Sequence, residues 1–160
     1  MAEREVLDLD VLFVGAGPAS LAGAIHLKRL LRESGRKASV AVLEKASEVG
    51  AHSLSGAIVD PRALRELFPD YNDSDFPFEA EVSEEHLYYL TATKKIPFPF
   101  VPPPMSHHNC FVTSLGKLTR WLGGICEDEN VDIFCGFAGT ELLYEGNQVI
   151  GVRTGDRGIN

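Results

Sequence analysis

Asp10-Val11-Leu12-Phe13-Val14-Gly15-Ala16-Gly17-Pro18-Ala19-Ser20 joins a short apolar run to a glycine-rich turn. The run D-V-L-F-V is rich in β-branched residues and stops at Gly15, the pattern of a buried parallel strand. Beyond the turn, residues 18–34 place Leu21, Ile25, Leu27, Leu30 and Leu31 among Lys28, Arg29, Arg32 and Glu33. That spacing predicts a helix, and Gly35 supplies its stop. Residues 38–43 form a second apolar run that ends at Glu44. Strand, glycine turn, helix and strand within about 35 residues make a βαβ unit, so the fold class is α/β with a parallel sheet.

The turn has the form of a dinucleotide fingerprint. Gly15 permits the tight exit from the strand, and Gly17, lacking a Cβ, lets backbone approach a pyrophosphate. Ala16, Pro18 and Ala19 complete the loop, with Pro18 at the helix start, where no N–H is needed. Ser20 stands where a third glycine is usual, a small residue at the point of close helix–strand packing. Glu44 answers the loop from the end of the next strand, 24 residues after Ser20. A carboxylate there accepts hydrogen bonds from the adenosine ribose.

FAD and NAD(H) share these features, and the segment that follows separates them. Lys45, Gly50, His52, Ser53, Ser55 and Gly56 belong to a small, hydrogen-bonding loop (K-A-S-E-V-G-A-H-S-L-S-G-A, residues 45–57) rather than a second helical crossover. Such a loop lets backbone lie against an extended ligand, which favours FAD; the plainer reading is a flexible connection. His52 either meets the flavin or fixes its own loop.

Further along, Asp60-Pro61 predicts a helix with Asp60 as N-cap and Pro61 at its first position, running through Leu64 and Leu67. Residues 71–79 read as loop. Residues 86–91 and 95–98 pair as a β-hairpin excursion, and residues 97–104 hold five prolines, which exclude helix and central strand. Residues 114–129 predict a third helix with Leu115, Leu118, Trp121, Leu122 and Ile125 on one side. A strand at 131–134 and a hairpin of 141–144 with 148–153 around Glu145-Gly146-Asn147 complete the pass. Residues 1–160 read as one domain.

The chain of 160 residues is 44% hydrophobic and 24% charged, with 15 Lys and Arg against 23 Asp and Glu, a net charge of −8. Without a basic run, nucleic acid is not an expected partner. Cys110, Cys126 and Cys135 have no metal-ligand spacing and read as reduced intracellular thiols. His107-His108 with Cys110 lacks the carboxylate or second cysteine a metal site needs, so no metal is expected. No run of about 18 apolar residues offers a membrane span, and the acidic start is unlike a targeting peptide. A cytoplasmic protein is expected, with peripheral contact on the inner face of the membrane open.

The segments V-G-A-G-P-A (14–19), L-E-K (43–45), V-G-A-H-S-L-S-G-A (49–57), D-P-R-A-L (60–64), E-L-F-P-D (66–70), S-L-G-K-L-x-R-W-L (114–122) and G-V-R-T-G-D-R-G-I (151–159) resemble, in order and spacing, the electron transfer flavoprotein–ubiquinone oxidoreductase family. The resemblance implies a Rossmann-like FAD-binding domain, here the amino-terminal portion and incomplete relative to the family. It implies an oxidoreductase that takes electrons from reduced electron transfer flavoprotein and passes them through FAD and a [4Fe–4S] cluster to ubiquinone. Carried over, Gly15, Gly17 and Ser20 line the FAD pyrophosphate, Glu44 holds the ribose with Lys45 beside it, and Gly50, His52, Ser53, Ser55 and Gly56 approach the rest of the cofactor. The cluster cysteines would lie outside this chain, which is expected to be inactive alone. Residues 106–110 (S-H-H-N-C) depart from the family's usual N-H-G-N. Residues 96–105, an apolar proline-rich strip, either meet a membrane surface, as the resemblance implies, or pack over the domain's own core. Two other functions stay open at this point: an FAD monooxygenase or prenyl-chain reductase, and a non-catalytic remnant domain.

Overall fold

The computed structural model describes residues 5–54 and 56–155. In chain order the elements are β1 (Val11–Val14), α1 (Pro18–Glu33), β2 (Val40–Glu44), β3 (Ala57–Val59), α2 (Arg62–Leu67), β4 (Phe78–Glu81), β5 (Tyr88–Leu90), β6 (Lys95–Pro97), β7 (Phe111–Thr113), α3 (Leu115–Asp128), β8 (Asp132–Cys135), β9 (Gly139–Glu145) and β10 (Gln148–Thr154). They fall into two compact units, one of Met1–Leu54 with Leu115–Asn160 and one of Ser55–Ser114.

The first unit carries the parallel sheet, in the order β1-β2-β8. Val11 pairs with Val40 and Val14 with Leu43, while Ala41 pairs with Asp132 and Glu44 with Cys135. Central β2 is apolar throughout because it is covered: Val40, Ala41 and Val42 are buried, as expected for a strand inside a parallel sheet. Leu21, Ala24 and Ile25 of α1 and Leu118, Leu122 and Cys126 of α3 complete this core. The apolar spacing of both helices thus fulfils its prediction, although Trp121 is only half-buried. Glu129, just past α3, receives Arg29 (3.1 Å) and Arg32 from α1, tying the two helix ends. The β9–β10 hairpin turns at Gly146, φ +58, as the Glu145-Gly146-Asn147 signal indicates.

The second unit holds an antiparallel sheet, β3-β7-β4, and the β5–β6 hairpin. Phe68, Phe76, Phe78 and Phe111 form its aromatic core, with Phe78 stacked on Phe111 at 4.5 Å between ring centres and the exposed Tyr71 against Phe68 at its edge. Two expectations need correction. Residues 71–79, read as loop, contain a 3-10 turn (Asp73–Asp75) and the first two residues of β4, because Phe78 pairs across to Thr113 of β7. The helix after Asp60 starts one residue late, with Pro61 at the cap position; Asp60 Oδ1 instead accepts the Arg62 N–H (3.0 Å) in a turn that precedes it. The β5–β6 hairpin forms where residues 86–91 and 95–98 predict it, with Tyr88 opposite Pro97.

Candidate cofactor-binding site

The glycine loop closes the carboxyl end of β1 over β2. Gly15 adopts φ +96, a conformation that disfavours any side chain, and its N–H donates to the Leu43 carbonyl (2.7 Å). Ala16 is buried, and its N–H donates to Glu44 Oε2 (2.8 Å). Gly17 is extended (φ −80, ψ 167) at the N-cap of α1, with Pro18 next. A Cβ built on Gly17 would meet nothing within 4 Å, so the space beyond its backbone is open. No acidic side chain lies in the first turn of α1, and no side chain caps it. The positive helix end therefore faces that space with no side-chain cap of its own, and the nearby carboxylate, Glu44, is engaged by the Ala16 N–H.

Glu44 reaches across from β2. Its Oε2 takes the Ala16 N–H and its Oε1 the Ala46 N–H, each at 2.8 Å. A carboxylate offers about four acceptor positions, so one on each oxygen remains for a ligand hydroxyl. The side chain is half-exposed, and neighbouring Lys45 is exposed. Both carboxylate bonds tie backbone on either side of the sheet end. Glu44 thereby sets the spacing of the two loops as well as facing the cleft.

That cleft, about 180 Å³, lies at the carboxyl ends of β1 and β2 between Gly15, Glu44 and Lys45 on one side and Phe137, Ala138 and Gly139 on the other. The Phe137 N–H donates to the Glu44 carbonyl (2.9 Å) and the Gly136 N–H to the Ala46 carbonyl (2.6 Å). Residues 136–139 are absent from the sequence-based site. The available signal was Gly-Phe-Ala-Gly directly after a predicted parallel strand, where α/β ligands gather. Helix and strand also come close at Gly23, where a Cβ would stand 3.1 Å from the Phe13 ring.

The other expected residues are placed separately. Gly50 (φ +79) and Ser53 lie on the loop after β2, where the Ser53 N–H donates to the Gly50 carbonyl (3.1 Å). His52 on the same loop is exposed. Ser55 lies outside the described residues. Gly56, φ +81 and exposed, begins the second unit. None of the three cysteines forms a disulfide among the described residues. Cys126 is sealed in the core, its Sγ 3.4 Å from the Leu21 carbonyl, and burial pushes its pKa up to about 12. Burial also raises Cys135, beside Glu44.

Within the strip 96–105, Ile96, Phe98, Phe100 and Met105 are exposed, while Val101 and Pro102 are half-buried. No helix of the described residues is long and apolar enough to cross a membrane.

No family model matches the chain. Among curated proteins, the electron transfer flavoprotein-ubiquinone oxidoreductase of Pseudomonas aeruginosa is 45% identical over 99% of this chain and 29% of its own length. The mitochondrial proteins of that name from mouse and from Oryza sativa are 43% and 45% identical over 98% of this chain, and 26% and 27% of theirs. Among solved structures, a geranylgeranyl bacteriochlorophyll reductase-like protein of Thermoplasma acidophilum superposes with a TM-score of 0.63 at 19% identity, covering 91% of this chain and 34% of that one. CtdE in complex with FAD gives 0.59 at 18%, covering 92% and 35%. These likenesses establish the fold: α/β, Rossmann-like, of the FAD-binding type. The chain spans less than a third of the curated relatives it matches, and over nearly its whole length it is homologous to that part of the electron transfer flavoprotein–ubiquinone oxidoreductases.

Proposed function

We propose that this chain supplies the adenosine and pyrophosphate half of the FAD site in an oxidoreductase that moves electrons from reduced electron transfer flavoprotein to ubiquinone. One observation carries the reading. The open space beyond Gly17, at a helix end that no side chain caps, adjoins a carboxylate already held by the Ala16 and Ala46 N–H groups. The first suits an anionic diphosphate and the second a ribose diol.

Gly15, Ala16, Gly17, Pro18, Ala19 and Ser20 would hold the pyrophosphate through backbone N–H groups. Glu44 would accept from the ribose, with Lys45 at the rim. Gly50, His52, Ser53, Ser55 and Gly56 would face the remaining length of the cofactor. FAD, when bound, supplies the electron-accepting chemistry; this chain's residues orient it and exclude water. A [4Fe–4S] cluster would be held by other parts of such a protein, since Cys110, Cys126 and Cys135 lack the close spacing of cluster ligands. We assign both compact units to one FAD-binding domain and the exposed strip 96–105 to a membrane surface. Phe98 and Phe100 enter the interface there, and Lys94 and Lys95 face anionic head groups. The site of action on this reading is the inner face of a membrane.

The purified protein, in the longest form its gene encodes, should carry flavin absorbance that acid releases, and should prefer FAD to NADH in titration. A colourless protein that binds NADH tightly would overturn the assignment.

A further inference from the structure

The loop after Glu44 is held at two places. Its start is fixed where Glu44 accepts the Ala46 N–H and the Ala46 carbonyl accepts the Gly136 N–H. Its far part lies on one face of α3, made by Gly116, Thr119 and Gly123, spaced three and four residues apart and so on the same side of the helix. A Cβ on Gly116 would stand 3.4 Å from the Gly50 carbonyl oxygen, and one on Gly50 only 2.8 Å from the Gly116 oxygen. A Cβ on Gly123 would press on Val49 Cγ1 at 3.1 Å. Between them Thr119, fully buried, donates its hydroxyl to the Leu115 carbonyl (2.7 Å) and stands 3.5 Å from Ser53 Oγ.

Glycine is disfavoured inside helices relative to alanine. Gly123, in the middle of α3, therefore needs a packing reason, and its 3.1 Å approach to Val49 gives it; Gly116, the second residue of the helix, meets the same loop at Gly50. Gly124 provides the contrast: it is exposed, and its Cβ would touch nothing within 4 Å. We infer that Gly116 and Gly123 are positioning residues for the bound cofactor, letting α3 carry residues 49–53 at the height that Glu44 and the glycine loop require. This rests on the FAD reading above. A side chain on this face would lift the loop away from α3 while its start stays tied to Glu44, so the ligand-facing backbone would tilt.

The test titrates FAD into the wild-type protein and into Gly116→Ala, Gly116→Val, Gly123→Ala and Gly124→Ala, each well below its melting midpoint. Amide exchange is followed across residues 47–54. Gly124→Ala should bind as wild type does. Gly116→Val should bind about tenfold more weakly or worse, Gly116→Ala and Gly123→Ala less severely, and exchange in 49–53 should rise in the same order. A folded Gly116→Val protein with wild-type affinity and unchanged exchange would overturn the inference, as would equal weakening by Gly124→Ala. Should Gly116→Val fail to fold, Gly123→Ala decides, since its Cβ would press on Val49 at 3.1 Å: affinity equal to that of Gly124→Ala rejects the idea. A wild-type protein that does not take FAD would overturn the proposed function itself, a distinguishable result.

Discussion

In β2, Val40, Ala41 and Val42 are at most 1% exposed, whereas Tyr89, Leu90 and Phe100 in and beyond the β5–β6 hairpin are 60, 69 and 66% exposed. Both stretches read as apolar in sequence. The first lies between two neighbouring strands and beneath helices, so its side chains are removed from water by the chain itself. The hairpin has two strands of three residues and five nearby prolines. It offers no second layer, and a lone hairpin of that length is marginal in water. Apolar composition therefore marks core in β2 and exposed surface in the β5–β6 hairpin. Only the pairing context tells them apart.

The largest effect should come from the core of the first unit. Ile25→Ala removes a fully buried side chain from α1 and should lower stability by about 2–5 kcal/mol, measured by denaturant unfolding. The paired substitution Phe98→Ser with Phe100→Ser should change stability by less than about 1 kcal/mol, since neither side chain is buried. It should instead reduce co-sedimentation with anionic vesicles. Strong destabilisation with intact vesicle binding would erase the contrast and assign the strip to a core.

Within the first unit, packing and site can be separated at a single loop. Gly17→Val places its side chain in open space at an allowed φ of −80, so unfolding should barely change. The same side chain would occupy the diphosphate space, and FAD affinity should fall about a hundredfold or more, some 2.8 kcal/mol. Normal FAD binding by this variant would show that the loop is not a phosphate cradle.

Glu44→Gln is a subtler probe. Both carboxylate oxygens accept backbone N–H groups, and glutamine's amide nitrogen cannot accept either one. The substitution should therefore loosen one of the two loops as well as weaken the ribose contact. Charge-assisted bonds of this kind are worth roughly 1.5–3 kcal/mol each, so an affinity loss of about tenfold or more is expected in an FAD titration. Unchanged affinity would remove Glu44 from the site.

How much of this was legible in the sequence follows the same division. The β1–α1–β2 unit, α3 and the β9–β10 turn announce themselves through periodicity and glycine placement, all local signals. So do Gly15, Gly17 and Glu44, because their roles depend on a strand end and the helix that follows it. Strands β3 and β7 do not. Each has three residues, and Ala57 finds Thr113 across 56 positions of chain, so the pairing is set by tertiary context rather than propensity. Phe137 and Gly23 were missed for a related reason: one matters through the strand beside it, the other through the Phe13 ring it lies against.

A smaller effect concerns the root of the exposed hairpin. Glu85 accepts the His107 backbone N–H (2.7 Å) and pairs with its Nδ1, clasping the two ends of residues 85–107. The backbone bond from His107, then its side chain, hold the Glu85 carboxyl below its ordinary value of 4.5. A depressed carboxylate contributes stability above its unfolded pKa and loses it as pH falls through the folded one. The clasp should thus be intact above pH 4.5 and open as pH falls through the lowered pKa, seen as faster amide exchange in residues 86–106. In Glu85→Gln that acid-dependent step should vanish; its persistence would place the transition in another group.

The central claim is that one loop and one carboxylate hold the adenosine diphosphate half of FAD. Titrating FAD into the ¹⁵N-labelled protein and following backbone amide signals tests it most directly. The account predicts that the largest shifts fall on Gly15, Ala16, Gly17, Ala19, Ser20 and Ala46, with smaller ones at Phe137 and Ala138. Saturable binding whose shifts avoid the glycine loop and the neighbourhood of Glu44 would contradict it.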